Sequence, residues 1–275
     1  MSMFVANSPG ATESSNSLPV EHEVKAPIIE TVGLSKVYHI GNEMVSPVSD
    51  VSLQIGYGDF AVIFGQSGAG KSTLLNILMG LEEPDLGQVF LKGSSLYDYS
   101  EENRTLIRRR KISYLPQSQY WLEHLNMVEN VALPLILEGE SQHQAQQQAI
   151  ELLKQVGLES RLKHKPTELS SGQQQKAALA RALIKKPWLI FADEPTAHLD
   201  TKSVEEVTQI LLNSVNSLGV TIVMVTHDLE FLKISKKWFF MSDGRLWDIK
   251  DRRNPFNDIR QALEFVDNNA AESTK

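Results

Sequence analysis

Apolar and polar positions divide this chain into short strand-like runs and longer helix-like segments. The pattern predicts strands at residues 28–40, 48–55, 60–64, 88–92, 188–192 and 220–225. It predicts helices at residues 73–79, 101–110, 142–156 and 173–184. A loop with Gly41, Asn42 and Pro47 joins the first two strands. Because strands alternate with helices further along the chain, the pattern indicates a parallel sheet covered on both faces.

The same pattern divides the chain into regions. Residues 1–26 are rich in Ser, Asn, Pro and Glu without sustained periodicity, which predicts a disordered leader. Residues 27–249 form the predicted α/β domain, and residues 95–170 within it are interpreted as an inserted, mostly helical lobe. Residues 250–275 are polar and charged, which predicts a tail with one helix.

Composition limits the kinds of partner and chemistry. Of the 275 residues 41% are apolar, which is enough for a core, and there is no cysteine, which excludes disulfides and thiol chemistry. The net charge of −7 argues against nucleic acid as a partner and leaves room only for a local basic patch. The apolar runs at 131–137 and 188–192 are shorter than the ~18 residues that cross a bilayer. The N-terminus lacks the features of a secretory signal. We expect a soluble, cytoplasmic chain, and any membrane spans must come from another protein.

One glycine-rich segment points to phosphate binding. It fits the pattern G-x-x-x-x-G-K-[ST] between a strand and a helix, and its residues are Gly65, Gln66, Ser67, Gly68, Ala69, Gly70, Lys71, Ser72 and Thr73. Glycines let the backbone N–H groups point inward, and the following helix adds its positive end. Lys71 supplies a charge for the outer phosphates, and the Ser72 hydroxyl is a candidate Mg²⁺ ligand. The alternative, an accidental match by a turn, is disfavoured by the strand and helix on either side.

A second candidate site follows the apolar run at 188–192, which ends in Asp193 and Glu194. Unpaired carboxylates at the end of a buried strand are costly, and Mg²⁺ relieves that cost. Asp193 is therefore a candidate metal ligand, and Glu194 a candidate general base for an attacking water. The alternative is an acidic helix cap with Pro195 at the helix start. The phosphate-binding segment upstream favours the functional interpretation.

The segment Leu169-Ser170-Ser171-Gly172-Gln173 precedes that strand and opens a predicted helix. Ser170 or Ser171 can cap the helix. A hydroxyl and a glycine N–H at a helix start can also bind a second phosphate. The residues alone leave both interpretations open.

At these residues the chain resembles the ATPase subunits of ATP-binding-cassette (ABC) transporters, whose signature is L-S-G-G-Q. The resemblance covers about residues 28–248. It includes the phosphate loop, Gln117, the signature, Asp193-Glu194, the loop Ala197-His198-Leu199-Asp200 and His227 in the family's order. The implied fold is α/β, a P-loop NTPase core with a parallel sheet, an N-terminal antiparallel β subdomain and an inserted helical lobe. The implied activity is hydrolysis of ATP with Mg²⁺ by a homodimer.

The resemblance also implies roles for single residues. Glu194 is the general base, His227 contacts the γ-phosphate, and Lys71 and Gln117 complete the catalytic set. The Mg²⁺ ligands are Ser72, Gln117 and Asp193. The nucleotide also contacts Tyr38, which stacks on adenine, together with Ser170, Gly172, Gln173 and Asp200 of the facing subunit. For Tyr38 alone, an ordinary strand aromatic is the alternative.

A narrower resemblance links residues 112–135 to macrolide exporters, lipoprotein-releasing complexes and cell-division ATPases of this family. It implies that a multi-span membrane permease docks near residues 117–125, with Tyr120, Trp121 and Leu122 as contacts. A core role for these apolar residues is the alternative. The run Arg108-Arg109-Arg110 fits the same subgroup, but we interpret at least two of these arginines as a solvated helix face.

Three departures from the family pattern affect what we expect of the site. Ser171 replaces the first signature glycine, which costs energy if the position needs a positive φ and nothing if it is the first helical residue. His198 replaces a small or amide residue, and Lys176 replaces an arginine. Because the catalytic set is complete, we expect an active ATPase on the inner face of the cell membrane. The alternative function is a soluble ABC-type ATP switch acting on nucleic acid or ribosomes.

Overall fold

Two β-sheets form the framework of the chain in a computed structural model that describes residues 27–41 and 43–248. The strands are β1 (Ile29–Ile40), β2 (Glu43–Ile55), β3 (Phe60–Phe64), β4 (Leu86–Leu91), β5 (Ser94–Ser95), β6 (Ile112–Leu115), β7 (Leu189–Asp193), β8 (Thr221–Thr226), β9 (Lys237–Ser242) and β10 (Arg245–Asp248). The helices are α1 (Lys71–Leu78), α2 (Glu101–Lys111), α3 (Met127–Leu137), α4 (Gln142–Gln155), α5 (Ser171–Leu183), α6 (Thr201–Leu218) and α7 (Glu230–Ile234). The predicted leader, residues 1–26, and tail, residues 250–275, lie outside the described residues.

The smaller sheet is antiparallel, with strand order β2-β1-β4-β5. Its second strand begins at Glu43, so the predicted loop through Pro47 and the predicted start at residue 48 are wrong. Pro47 is tolerated because β2 is an edge strand, and the register shifts between Lys36 and Tyr38 of β1 opposite this proline. A proline at an irregular site on a sheet edge removes no ladder hydrogen bond.

The larger sheet has the order β10-β9-β3-β8-β7-β6, and its pairs are parallel except for β10 with β9. Strands β3 and β8 are buried along their whole length. One face packs on α1 and the smaller sheet, and the other packs on α5, α6 and α7. The predicted α/β class with a covered parallel sheet is therefore confirmed. The sequence pattern missed β9 and β10, whose runs are short and mixed with lysines and turn residues.

The stretch between residues 95 and 170 is not entirely helical. Helices α3 and α4 pack with α5 around a separate apolar cluster. However, Ile112–Leu115 forms β6, which pairs with β7 as an edge of the larger sheet. This strand has only four residues, too few for a clear alternation pattern. No helix within the described ranges is long and apolar enough to cross a membrane.

Candidate nucleotide-binding site

The phosphate loop, the acidic strand end and the histidine meet in one cleft of about 900 Å³. The cleft lies at the carboxyl ends of β3, β6, β7 and β8, where open α/β sheets bind their ligands. Its lining includes Gly65, Gln66, Ser67, Gly68, Gly70, Lys71, Ser72, Thr73, Gln117, Asp193, Glu194 and His227. Thus residues from four separate segments of the sequence converge on one site.

The chain's own packing requires two of the loop glycines. A Cβ on Gly65 would lie 2.0 Å from the carbonyl oxygen of Met241, and one on Gly70 would lie 1.8 Å from that of Pro47. Gly70 also has φ 100° as the N-cap of α1. The turn after β9 supports the loop as well, because the Gly244 N–H donates to the Ala69 carbonyl at 3.2 Å. The loop conformation therefore depends on β2 and β9 as well as on any bound phosphate.

Lys71 lies at the start of α1 and bends back over the loop. Its Nζ donates to the carbonyls of Gly65 and Gln66, each at 2.7 Å. Burial lowers the pKa of Lys71, while the nearby charges of Glu194 and Asp193 act in the opposite direction. The ammonium group is thus held over the part of the cleft where the loop N–H groups and the positive end of α1 favour an anion.

Asp193 ends β7 and makes a long contact with a residue that the sequence analysis did not single out. The Tyr114 hydroxyl donates to Asp193 Oδ2 at 3.4 Å. Burial raises the pKa of Asp193, and the Tyr114 hydrogen bond opposes that shift. Burial, followed by the charge of Asp193, raises the pKa of Tyr114 to about 12. Only the pairing of β6 with β7, which places Tyr114 opposite Phe191, identifies this neighbour.

Glu194 follows Asp193 and turns toward the end of β8. It has φ 48°, and its N–H donates to the Val225 carbonyl at 2.9 Å. Its Oε2 lies 2.8 Å from His227 Nδ1 and 3.5 Å from the Thr226 hydroxyl. A non-glycine residue in the left-handed region is strained, and Glu194 lines the cleft in this conformation.

Gln117 and Tyr38 occupy different places relative to the cleft. Gln117 follows β6, is exposed and lines the cleft. Tyr38 does not line it, and its hydroxyl donates to Glu82 Oε1 at 2.5 Å. Burial and the hydrogen bond to Glu82 raise the pKa of Tyr38, while Thr73, on the helix that follows the phosphate loop, acts in the opposite direction.

The signature residues and Asp200 lie outside this cleft, at the starts of two neighbouring helices. Ser170 caps α5, with its Oγ accepting from the Gln173 N–H at 3.3 Å and its N–H donating to the Gln173 side chain at 3.2 Å. Asp200 caps α6 through Ser203, which donates both its N–H and its hydroxyl. A Cβ on Gly172 would lie 2.2 Å from Ser203 Oγ, so the start of α5 packs against the start of α6.

The three departures from the family pattern now have structural descriptions. Ser171 is the first residue of α5, and its φ is not positive, so serine is harmless there. His198 has φ 64° and is exposed in the loop before α6. Lys176 Nζ on α5 forms a salt bridge with Glu206 Oε2 on α6 at 2.6 Å, a single contact between the two helices.

The donor set fits a hard cation. Within residues 27–41 and 43–248, no group of three or more His, Asp or Glu is arranged to hold a metal. The predicted ligands Ser72, Gln117 and Asp193 all line the cleft and offer oxygen atoms. Oxygen ligands in small number, completed by phosphates and water, are what Mg²⁺ prefers.

The fold and the cleft together define a P-loop nucleoside triphosphatase. The family model for ABC transporters matches residues 48–197. The chain is 40% identical over 219 residues to the lipoprotein-releasing system ATP-binding protein LolD of Shewanella sp. strain MR-7, covering 80% of this chain and 95% of that protein. It is 39% identical over 227 residues to the macrolide export ATP-binding/permease protein MacB of Chlorobaculum tepidum, covering 82% of this chain and 35% of that protein.

A solved structure gives the same assignment. The ATP-binding cassette MJ0796, a dimer in a post-hydrolysis state bound to ADP and Pi, superposes with a TM-score of 0.74. The two proteins are 36% identical, with 81% of this chain and 99% of that chain covered. The chain belongs to the ABC transporter family, and it is an ATP-binding, ATP-hydrolysing subunit of that family.

Proposed function

We propose that two copies of this chain close on two ATP molecules and drive a separate, multi-span membrane permease from the inner face of the cell membrane. The observation that supports a dimer is that the phosphate loop and the signature segment lie apart in one copy of the chain. The signature residues Ser170, Gly172 and Gln173 do not line the cleft that holds Lys71 and Glu194. If the signature contacts a nucleotide, that nucleotide must therefore be bound in the cleft of another copy of the chain. The related cassette MJ0796 is a dimer, which supports this arrangement.

The residues of each cleft divide the work of hydrolysis. Lys71 and the loop N–H groups bind the phosphates, and Glu194 accepts a proton from the attacking water. His227 Nδ1 lies 2.8 Å from Glu194 Oε2, a contact that orients both side chains. Ser72, Gln117 and Asp193 would hold Mg²⁺, which neutralises charge that develops on the phosphate oxygens. Binding of ATP closes the pair, and release of the products opens it.

The proposed permease contact lies on the loop after Gln117, and the structure changes which residues are available for it. Tyr120 is 78% exposed and Leu122 is 41% exposed. Trp121 is partly buried and packs on two of the apolar clusters, with the Arg181 guanidinium 4.2 Å from its ring centroid. The docking role proposed for Trp121 is therefore reassigned to Tyr120 and Leu122, while Trp121 anchors the loop.

The dimer is tested with Glu194→Gln, which removes the carboxylate that acts as general base and keeps the size and shape of the side chain. We expect turnover to fall by at least about 100-fold while ATP with Mg²⁺ converts monomer to dimer in light scattering. Lys71→Ala is the matched control and should stay monomeric. If Glu194→Gln stays monomeric with saturating ATP and Mg²⁺, the proposed ATP-dependent dimer is refuted. If it hydrolyses ATP at the native rate, the role of Glu194 as general base is refuted.

The permease is tested by a photoreactive phenylalanine in place of Tyr120, in membranes of cells that express the chain. We expect a crosslink to a multi-span protein. The same residue in place of Tyr99, which is 37% exposed on another part of the surface, is the control. Crosslinks to ribosomal or other soluble components alone would favour the alternative, a soluble ATP switch acting on nucleic acid or ribosomes.

A further inference from the structure

A group of cations covers the amino ends of β6 and β7, on the side of the larger sheet opposite the nucleotide cleft. We call it the basic surface, and its members are Lys92, Arg109, Arg110, Lys111, Lys185 and Lys186, arranged around Trp188. β6 begins directly after Lys111, and β7 begins directly after Trp188. The cleft lies at the other end of the same strands, about 15 Å away at ~3.3 Å per residue.

Direct contacts hold the basic surface together. Lys92 Nζ lies 3.8 Å from the centroid of the Trp188 ring, and Lys111 Nζ lies 5.1 Å from it. The backbone N–H of Trp188 donates to the Lys111 carbonyl at 2.8 Å. Lys185 Nζ donates to the carbonyls of Arg109 and Ile112 at 2.6 and 3.3 Å, which fixes the end of α2 beside the end of α5. These cations are therefore neighbours in space although they come from three segments of the sequence.

The charge of this surface is not neutralised locally. The whole protein has 34 acidic and 27 basic side chains, yet no member of the basic surface forms an ion pair with an acid in residues 27–41 and 43–248. Burial lowers the pKa of Lys185, and the charge of Glu138 acts against that shift without forming an ion pair. Arg108, by contrast, is engaged by Glu101 and donates to the Gly80 carbonyl at 2.5 Å. Arg109 and Arg110 are exposed, which confirms that two of the three arginines face solvent.

We propose that the basic surface binds anionic lipid headgroups and so holds the subunit against a membrane. Clusters of four to eight Lys and Arg bind anionic lipid surfaces, and each contributes roughly 1 kcal/mol. Tyr57, which is exposed, and Trp188 are rings of the kind that prefer a membrane interface. Lys92 already covers one face of the Trp188 ring, which leaves less of the ring on which a nucleic-acid base could stack. A lipid surface therefore fits this chemistry better than a single-stranded nucleic acid.

The position of the surface agrees with the proposed permease contact, on which this inference rests. Arg181 Nη1 on α5 donates to the Tyr120 carbonyl at 2.7 Å. Lys185 follows Arg181 by about one helical turn, roughly 6 Å along the chain. The exposed loop at Tyr120 and the basic surface are thus adjacent. The remaining acidic surface is repelled by anionic lipid, so the attraction also selects one orientation of the subunit.

The inference is tested with the full chain and two sets of vesicles, one containing phosphatidylglycerol with phosphatidylcholine and one of phosphatidylcholine alone. We expect co-sedimentation with the anionic vesicles only, and release when salt is raised. The variant Arg109→Gln/Arg110→Gln/Lys186→Gln removes three exposed charges whose side chains make no hydrogen bond in the described structure. Its affinity for anionic vesicles should fall by more than about tenfold.

The matched control is Lys154→Gln/Lys163→Gln/Arg245→Gln, which makes the same change in net charge at exposed positions elsewhere. It should keep vesicle binding, and both variants should keep native ATPase rates without vesicles. Equal loss in both variants, or no binding of the native chain to anionic vesicles, would overturn the lipid assignment. So would tighter binding to a duplex oligonucleotide than to vesicles. Because the Tyr120 crosslink is measured separately, a failure of lipid binding can be told apart from a failure of the permease proposal.

Discussion

His227 and Glu194 form the closest acid–base pair of the cleft, with Nδ1 of the histidine 2.8 Å from Oε2 of the glutamate. The glutamate follows β7 and the histidine follows β8, so the parallel pairing of these two strands sets their separation. The histidine side chain is 72% exposed, whereas that of the glutamate is 16% exposed. The pair therefore presents a fixed carboxylate inside the cleft and a ring that can reach a ligand from the open side.

This contact predicts that the two residues do not act independently. We expect His227→Ala and Glu194→Gln each to lower turnover by at least about 100-fold. The double variant should be little slower than Glu194→Gln alone, because groups that work as a unit give non-additive losses. Single-turnover phosphate release measures all three variants, and binding of a fluorescent ATP analogue is the control. Multiplicative losses in the double variant would show that the two side chains work separately.

The packing around the phosphate loop predicts the effect of Gly70→Ala. Its Cβ would lie 1.8 Å from a backbone carbonyl, so we expect loss of nucleotide binding and a lower free energy of unfolding. Gly157→Ala is the control, since Gly157 has φ 73° but has nothing within 4 Å. It should cost only the roughly 1–2 kcal/mol of a left-handed alanine, and Gly70→Ala about 1–3 kcal/mol more. Equal costs in urea unfolding would contradict the clash.

Ser171 gives a prediction of the opposite kind. Because it is the first residue of α5 without a positive φ, glycine brings no relief of strain and loses conformational entropy on folding. Restoring the family's residue with Ser171→Gly should lower the free energy of unfolding by about 0.5 kcal/mol and leave ATP turnover unchanged. Urea unfolding and steady-state phosphate release check both statements. A gain in turnover would mean that the position adopts a different backbone conformation in the working dimer.

Tyr114 allows a prediction on pH. Because burial raises its pKa to about 12, the phenol stays protonated, and donates to Asp193, below that pH. Tyr114→Phe removes only the hydroxyl, so we expect a severalfold weaker affinity for Mn²⁺ in the presence of ADP, measured by electron paramagnetic resonance. The ratio of native to variant affinity should stay constant between about pH 6.5 and 9, since an unperturbed phenol titrates near 10. A ratio that falls across this interval would show that the pKa of Tyr114 lies below its ordinary value rather than above it.

Trp121 provides a prediction on stability. Its ring packs between two apolar clusters and lies under Arg181, whose pKa burial lowers to about 10. Trp121→Ala should lower the free energy of unfolding by about 3 kcal/mol. Tyr120→Ala, at an exposed neighbour, should change it by less than about 0.5 kcal/mol. If the two variants unfold at the same urea concentration, the loop is not anchored as described.

The sequence by itself determined the α/β class, the phosphate loop and the two acids of the cleft, while the resemblance to ABC ATPases added the histidine. These follow from local features: apolar runs, helix starts and residue types whose chemistry is specific at a fixed spacing. Tertiary structure decided what depends on contacts between distant segments. Pairing of β6 with β7 brought Tyr114 to Asp193, packing of α5 under the loop removed Trp121 from the docking surface, and the approach of Lys92 to Trp188 assembled the basic surface. Spacing along a chain fixes which residues are near one another within an element, whereas strand order and helix packing fix which elements meet.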